Sequence, residues 1–162
     1  MKTSTAIIAG TLVVGTCDFL DAVVFFGIRN GSTPIRIAQS IAAGWLGGPG
    51  ARQGGLPAAA LGVATHYLIA FGIVLTYLLA SRAIAILAER PWLCGPLYGI
   101  AVYFFMNRVV IPLSAIGGPS RFVLAPFLNG IVIHVLGVGL PAALFAAAAR
   151  PRSPRPAAPH PI

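Results

Sequence analysis

Six side chains in this sequence have the types and spacing to do chemistry: Asp18, Asp21, His66, Asn107, Arg108 and His134. Each lies inside a long apolar run. Asp18 and Asp21 are three residues apart and share one face of a helix. Depth follows from a helical rise of about 1.5 Å per residue. Entering from the N-terminal side, Asp18 lies about 18 Å in and Asp21 about 22 Å in, with Asn107 and Arg108 about 21–24 Å in. His66 and His134 enter from the opposite side and lie about 15–18 Å in. All six therefore fall in one layer, at or just past the middle of a bilayer core about 30 Å thick. Ionisable groups at that depth are costly, so they face the bundle interior and pair.

Two kinds of reading stand. Two carboxylates, an arginine and two histidines can carry a proton or hold a small solute, because a histidine exchanges protons near neutral pH. The plainer reading is structural. Arg108 then pairs with Asp18 or Asp21, Asn107 and the histidines complete the hydrogen bonds, and the cluster fixes helix register. More distant readings are a haem between His66 and His134, or a divalent metal held by Asp18, Asp21, His66 and His134. No second histidine pair exists for haem. Cys17 and Cys94 lie at different depths and suggest neither a disulfide nor a metal site. No Ser/His/Asp set with a nucleophile turn is visible, and Glu89 stands alone on a short loop. An enzyme reading has little support, and no resident metal or cofactor is expected beyond those two distant readings.

The elements that must position these groups follow from composition. Of 162 residues, 57% are hydrophobic and 9% charged, and mean hydropathy is +0.89. A soluble domain carries about 25% charged residues, so this chain lacks the polar surface to face water. The same apolar content excludes a disordered chain. Four stretches are long enough to cross a bilayer: about 6–28, 58–80, 92–113 and 124–147. Backbone groups in lipid must be satisfied internally, and the alternating ten-residue segments of a barrel are absent, so the spans are helices. The fold class is all-α, a four-helix transmembrane bundle.

Charge gives orientation. The formal net charge is +8, from eleven basic and three acidic residues. Ten of the basic residues flank spans or lie in the tail. Lys2, Arg82, Arg90, Arg150, Arg152 and Arg155 fall on one side, and Arg29, Arg36, Arg52 and Arg121 on the other. Six against four favours both termini in the cytoplasm. The positive charge is thus a topology signal and not a nucleic-acid footprint; the expected partners are the lipid bilayer and a second copy of the chain. Val14-Gly15-Thr16-Cys17 imitates a lipoprotein cleavage site. However, Thr16 suits it poorly and the apolar run continues to Phe26, so the segment is read as the first span. The tail from Arg150 carries five prolines and is read as extended and disordered, residues 150–162.

The connection from Gly31 to Pro57 is more than a loop. Ser32 or Thr33 can cap a helix and Pro34 suits its first position. Ile35, Ala38, Ile41, Ala42 and Trp45 then recur at helical spacing, with Arg36, Gln39 and Ser40 away from them. This predicts a short amphipathic helix, lying in the interface or packed on the bundle. The glycines from Gly47 to Gly55 lack a phosphate-loop ending and read as a flexible turn. Spans two and four align at an offset of 68 residues, matching Gly62 with Gly130, His66 with His134 and Arg82 with Arg150. Pro34-x-Arg36 returns as Pro119-x-Arg121, and aligning Gly10 with Gly99 sets Asp18 opposite Asn107. Two parallel two-helix repeats, related by an axis along the membrane normal, would account for this. Gly95-x-x-x-Gly99 promotes close helix contact, within or between chains.

These motifs together carry a resemblance. They are Gly15-Thr16-x-Asp18, Pro34-x-Arg36 with Gln39-Ser40-Ile41-Ala42, Gly62-x-x-x-His66, Gly95-x-x-Tyr98-Gly99, Met106-Asn107 with Val110-x-Pro112-Leu113-Ser114, and His134 with Gly139-Leu140-Pro141. Up to Ala149 the chain resembles small uncharacterised four-span proteins of bacterial inner membranes, at a distance those of the YagU group. The resemblance implies fold and location. It implies no activity, and no site residue is carried over by it.

Three functions remain after this reading. One is a structural or accessory membrane protein whose polar layer orders the bundle. Another is a small proton-linked transporter or channel subunit, oligomeric because four spans make a poor pathway alone. The third and most distant is a haem or metal redox protein.

Overall fold

A computed structural model describes residues 1–118 and 122–150. The described residues are helical almost throughout, without strands. In chain order the helices are α1 Thr3–Asn30, α2 Pro34–Gln53, α3 Gly55–Ala83, α4 Ala85–Glu89, α5 Pro91–Phe105, α6 Ile111–Leu113, α7 Leu124–Ile133 and α8 Leu140–Ala149. Two π-helical segments, Met106–Val110 and His134–Gly139, join α5 to α6 and α7 to α8. Four helical stretches are long and apolar enough to cross a membrane: Thr3–Asn30, Gly55–Ala83, Pro91–Leu113 and Leu124–Ala149. They contain the four stretches expected from hydropathy and extend all but the third by two or three residues at one or both ends.

The fourth span is central and touches each of the other three. On the side of the termini the packing is dense and built from small side chains: Ala6, Val14, Ala70, Val74, Ala142 and Ala146 are buried together. Tyr77 is the largest side chain in this core, and its hydroxyl donates to the Leu87 carbonyl at 2.9 Å. Close approach depends on glycine. A Cβ on Gly99 would collide with the His134 carbonyl, and one on Gly95 would lie 2.9 Å from Leu140 Cα. The third span's G-x-x-x-G is therefore used inside the chain, against the fourth span. The termini-side ends are tied together. Arg82 donates to Thr3 Oγ1 at 2.9 Å, and Arg150 pairs with Glu89 at 2.9 Å.

The first connection corrects the expected helix in two ways. Thr33 does cap α2, accepting from the Arg36 amide at 3.3 Å, with Pro34 at the first helical position. The buried face, however, is Ile37, Ala38, Gln39, Ala42 and Ala43, while Ile35 and Trp45 are 48% and 65% exposed. Ala38 and Ala42 are buried as the periodicity expects and Arg36 and Ser40 stay exposed, but the face is shifted at Ile35, Gln39 and Trp45 because α2 crosses α3 at Gly62, where a Cβ would strike the Ala38 carbonyl. Only the small side chains of α2 fit that crossing. Gln39 tolerates burial because its amide donates to the Gly55 carbonyl at 3.0 Å. The glycine stretch is also not a flexible turn: helix continues through Gln53 across a kink at Gly47, whose φ of 69° a side chain would resist. Pro119 and Arg121, and the tail from 151 to 162, lie outside the described residues.

Candidate functional site

Away from the termini the spans separate, and two adjoining cavities open among them. The larger, about 570 Å³, lies between the first, third and fourth spans. Asp18, Asp21, Asn107, Arg108, Asn129 and His134 line it. It reaches Phe122 and Val123, just ahead of the fourth span, and so extends toward the membrane face opposite the termini. The smaller, about 260 Å³, lies beneath α2, whose Ile37, Ser40 and Ile41 form one wall and whose opposite side carries His66. Asp18, Asn107 and His134 line both cavities. All six residues singled out in the sequence therefore surround one divided space.

Local structure explains how the layer is built. Pro112 and Pro141 lack an N–H, so the carbonyls of Arg108 and Gly137 cannot receive the usual donor four residues on. The chain widens one turn earlier. Ile111 N–H donates to the Met106 carbonyl and Leu140 N–H to that of Val135, each five residues back. π-Turns of this kind recur at functional sites. Here one carries Asn107 and Arg108, and the other begins at His134.

Each polar group has a definite partner or none. Asn129 donates to Asp21 Oδ2 at 2.6 Å, joining the first and fourth spans. Asn107 donates to the Tyr103 carbonyl at 2.9 Å, within its own helix. His66 Nε2 lies 2.7 Å from the Gly15 carbonyl, and His134 Nδ1 lies 2.9 Å from the Gly130 carbonyl. A carbonyl only accepts, so each of those nitrogens carries the proton, and the other nitrogen of each neutral ring is left as an acceptor. His134 Nδ1 also lies 3.9 Å from Asp18 Oδ1, close enough for electrostatic attraction but too far for a hydrogen bond. Among the described residues Asp18 accepts no side-chain hydrogen bond, and Arg108 forms no ion pair with either aspartate.

The ion pair between Arg108 and Asp18 or Asp21 is thus not formed, although all three line one cavity. The exposed Arg108 faces open space. The aligned histidines meet different surroundings: His66 reaches across to the first span, whereas His134 bonds within its own helix. Among the described residues no group of three or more His, Cys, Asp or Glu is placed to hold a metal ion. Asn129 and Tyr103 are lining residues that the sequence reading missed. Asn129 could have been noticed by its type, since it and Asn107 are the two asparagines inside the spans away from their ends.

Four apolar helices make the chain a multi-pass membrane protein. No family model, no curated protein and no solved structure matches it.

Proposed function

We propose that the protein is a small proton-linked solute carrier or channel subunit of the bacterial inner membrane, and that the larger cavity is its solute site. One observation carries this reading: among the described residues Asp18, Asp21 and Arg108 line a common cavity, and Arg108 pairs with neither aspartate. A cluster kept only for register would close on itself, because unpaired charge in a bilayer is expensive. Space between unpaired charges suits an occupant that completes them. Alanine-rich packing around Ala70, Val74 and Ala142 lies between the larger cavity and a polar cavity of about 320 Å³ at the terminal ends of the spans, lined by Thr3, Ser81, Arg82 and Arg150, and a layer closed between two open ends suits a carrier in one of its two states. With the termini in the cytoplasm, as the basic residues favour, the larger cavity opens toward the outer face.

A structural role is the second reading, favoured by the Asp21–Asn129 bond, which joins two spans without any ligand. Proton movement separates the two. Purified protein in proteoliposomes with a trapped pH dye should collapse an imposed pH gradient when a carried solute is supplied, and Asp18→Asn should abolish the effect. Equal, background-level leakage for wild type and variant, both without solute and with every solute of a panel of cations, zwitterions and neutral compounds, would overturn the transport reading and leave the structural one.

A further inference from the structure

We infer that the larger cavity takes a small organic cation, an ammonium carrying an apolar group, with Asp18 as its counter-ion. The inference rests on the solute-site reading above and names the class of solute.

Charge is the first argument. With histidine neutral, the described residues that line the cavity carry two carboxylates and one guanidinium, an excess of one negative charge among them. That excess resides at Asp18. Asp21 is held by Asn129 at 2.6 Å, whereas the side chain of Asp18 remains 30% exposed. The nearest basic atom, His134 Nδ1 at 3.9 Å, already faces the Gly130 carbonyl at 2.9 Å. A single positive charge beside Asp18 removes the imbalance, and an anion would meet the carboxylate instead.

The walls say what should carry that charge. Tyr103, Phe104, Phe127 and Phe122 form a run of tilted and edge-on rings with centroids 5.4–6.5 Å apart, all lining the cavity. Phe26 faces the space from the first span. Aromatic faces attract cations and also accept apolar groups. An inorganic ion fits poorly. Hard divalent cations take about six to eight oxygen ligands, and no group of three candidate ligands is assembled among the described residues. A volume of about 570 Å³ lies within the range of about 300–1,000 Å³ that drug-sized ligands fill.

The test uses the full chain in lipid nanodiscs and calorimetric titration with benzyltrimethylammonium. Neopentylbenzene, its uncharged isostere, controls for partition into lipid, and phenylalanine serves as a zwitterion of similar size. The ammonium should bind at least about tenfold more tightly than either, the scale of one desolvated charge interaction. Asp18→Asn should weaken it about tenfold or more, and Arg108→Gln should tighten it, because it deepens the negative excess. Opposite signs from the two variants distinguish a charge effect from damage to the fold. Preference for phenylalanine, or equal response to the ammonium and neopentylbenzene, would overturn the inference. If Asp18-dependent proton flux persists in that case, the solute-site reading survives with a different solute. If flux is absent as well, both fall.

Discussion

Asn129 reaches across from the fourth span and donates to Asp21 at 2.6 Å, while Asp18, one turn earlier on the same helix face, receives no side-chain hydrogen bond among the described residues. Two aspartates three residues apart thus have different duties. Asp21 is tied into the bundle, and Asp18 is left to the cavity.

The first prediction concerns that tie. Asn129→Leu removes a donor to a carboxylate between spans. Inter-span hydrogen bonds contribute about 0.6 kcal/mol on average and up to about 1.7 kcal/mol, and a charged acceptor favours the upper part of that range. We expect a loss of about 1–2 kcal/mol in reversible unfolding in mixed micelles. The double variant with Asp21→Asn should cost less than the two single changes added together. Simple additivity would mean that the bond contributes nothing.

The second prediction concerns the prolines. Pro112→Ala returns an N–H that can donate to the Arg108 carbonyl, and so lets the π-turn at Met106–Val110 rewind as α-helix. Removing one residue's worth of slack rotates what lies beyond it by about 100°. Asn107 and Arg108 then shift relative to Asp18. Thermal stability should stay level or rise, while Asp18-dependent proton exchange falls. A variant that loses stability and keeps exchange would show that the wide turn does not position the site.

Much of the architecture was legible because membrane spans are long and their signal is redundant. Hydropathy located all four, and the depth count brought the six polar residues to one layer. What escaped depends on packing between helices. The periodicity of α2 placed Ala38 and Ala42 on the buried face, but the burial of Gln39 and the exposure of Ile35 and Trp45 follow from the close crossing at Gly62, which no pattern within α2 encodes. Arg108 fails to meet the aspartates because its π-turn and the open space beside it fix where it stands. Asn129 could be picked out as a polar residue in an apolar run, but not its partner: a lone amide gives no sign of the aspartate it meets on another span.

Third, glycines on the same kind of helix should differ sharply in what they tolerate. A Cβ at Gly99 meets the backbone of His134 and Val135, which cannot rotate away, whereas one at Gly72 meets nothing within 4 Å. Gly99→Ala should therefore force the third and fourth spans apart and cost about 1–3 kcal/mol. Gly72→Ala should stabilise by about 0.5–1 kcal/mol through helix propensity. Unfolding midpoints in detergent would read both. Equal effects would mean that the tight crossing at Gly99 does not hold in the bilayer.

The last prediction is one-sided access. Water must reach the larger cavity from the face opposite the termini and be excluded by the alanine-rich core on the other side. A charged, membrane-impermeant thiol reagent reacts only with a cysteine that water reaches, because the thiolate is the nucleophile. Cys17 and Cys94 are first replaced by alanine. Asn107→Cys should then label in right-side-out vesicles and resist labelling in inverted ones, if the termini lie in the cytoplasm. Val74→Cys, fully within the core, should resist in both. Labelling of Asn107→Cys from the inverted side alone would reverse the orientation and keep the one-sided cavity. Labelling from both sides would mean that the core does not seal, and the chain would then behave as a pore rather than as a carrier held in one state.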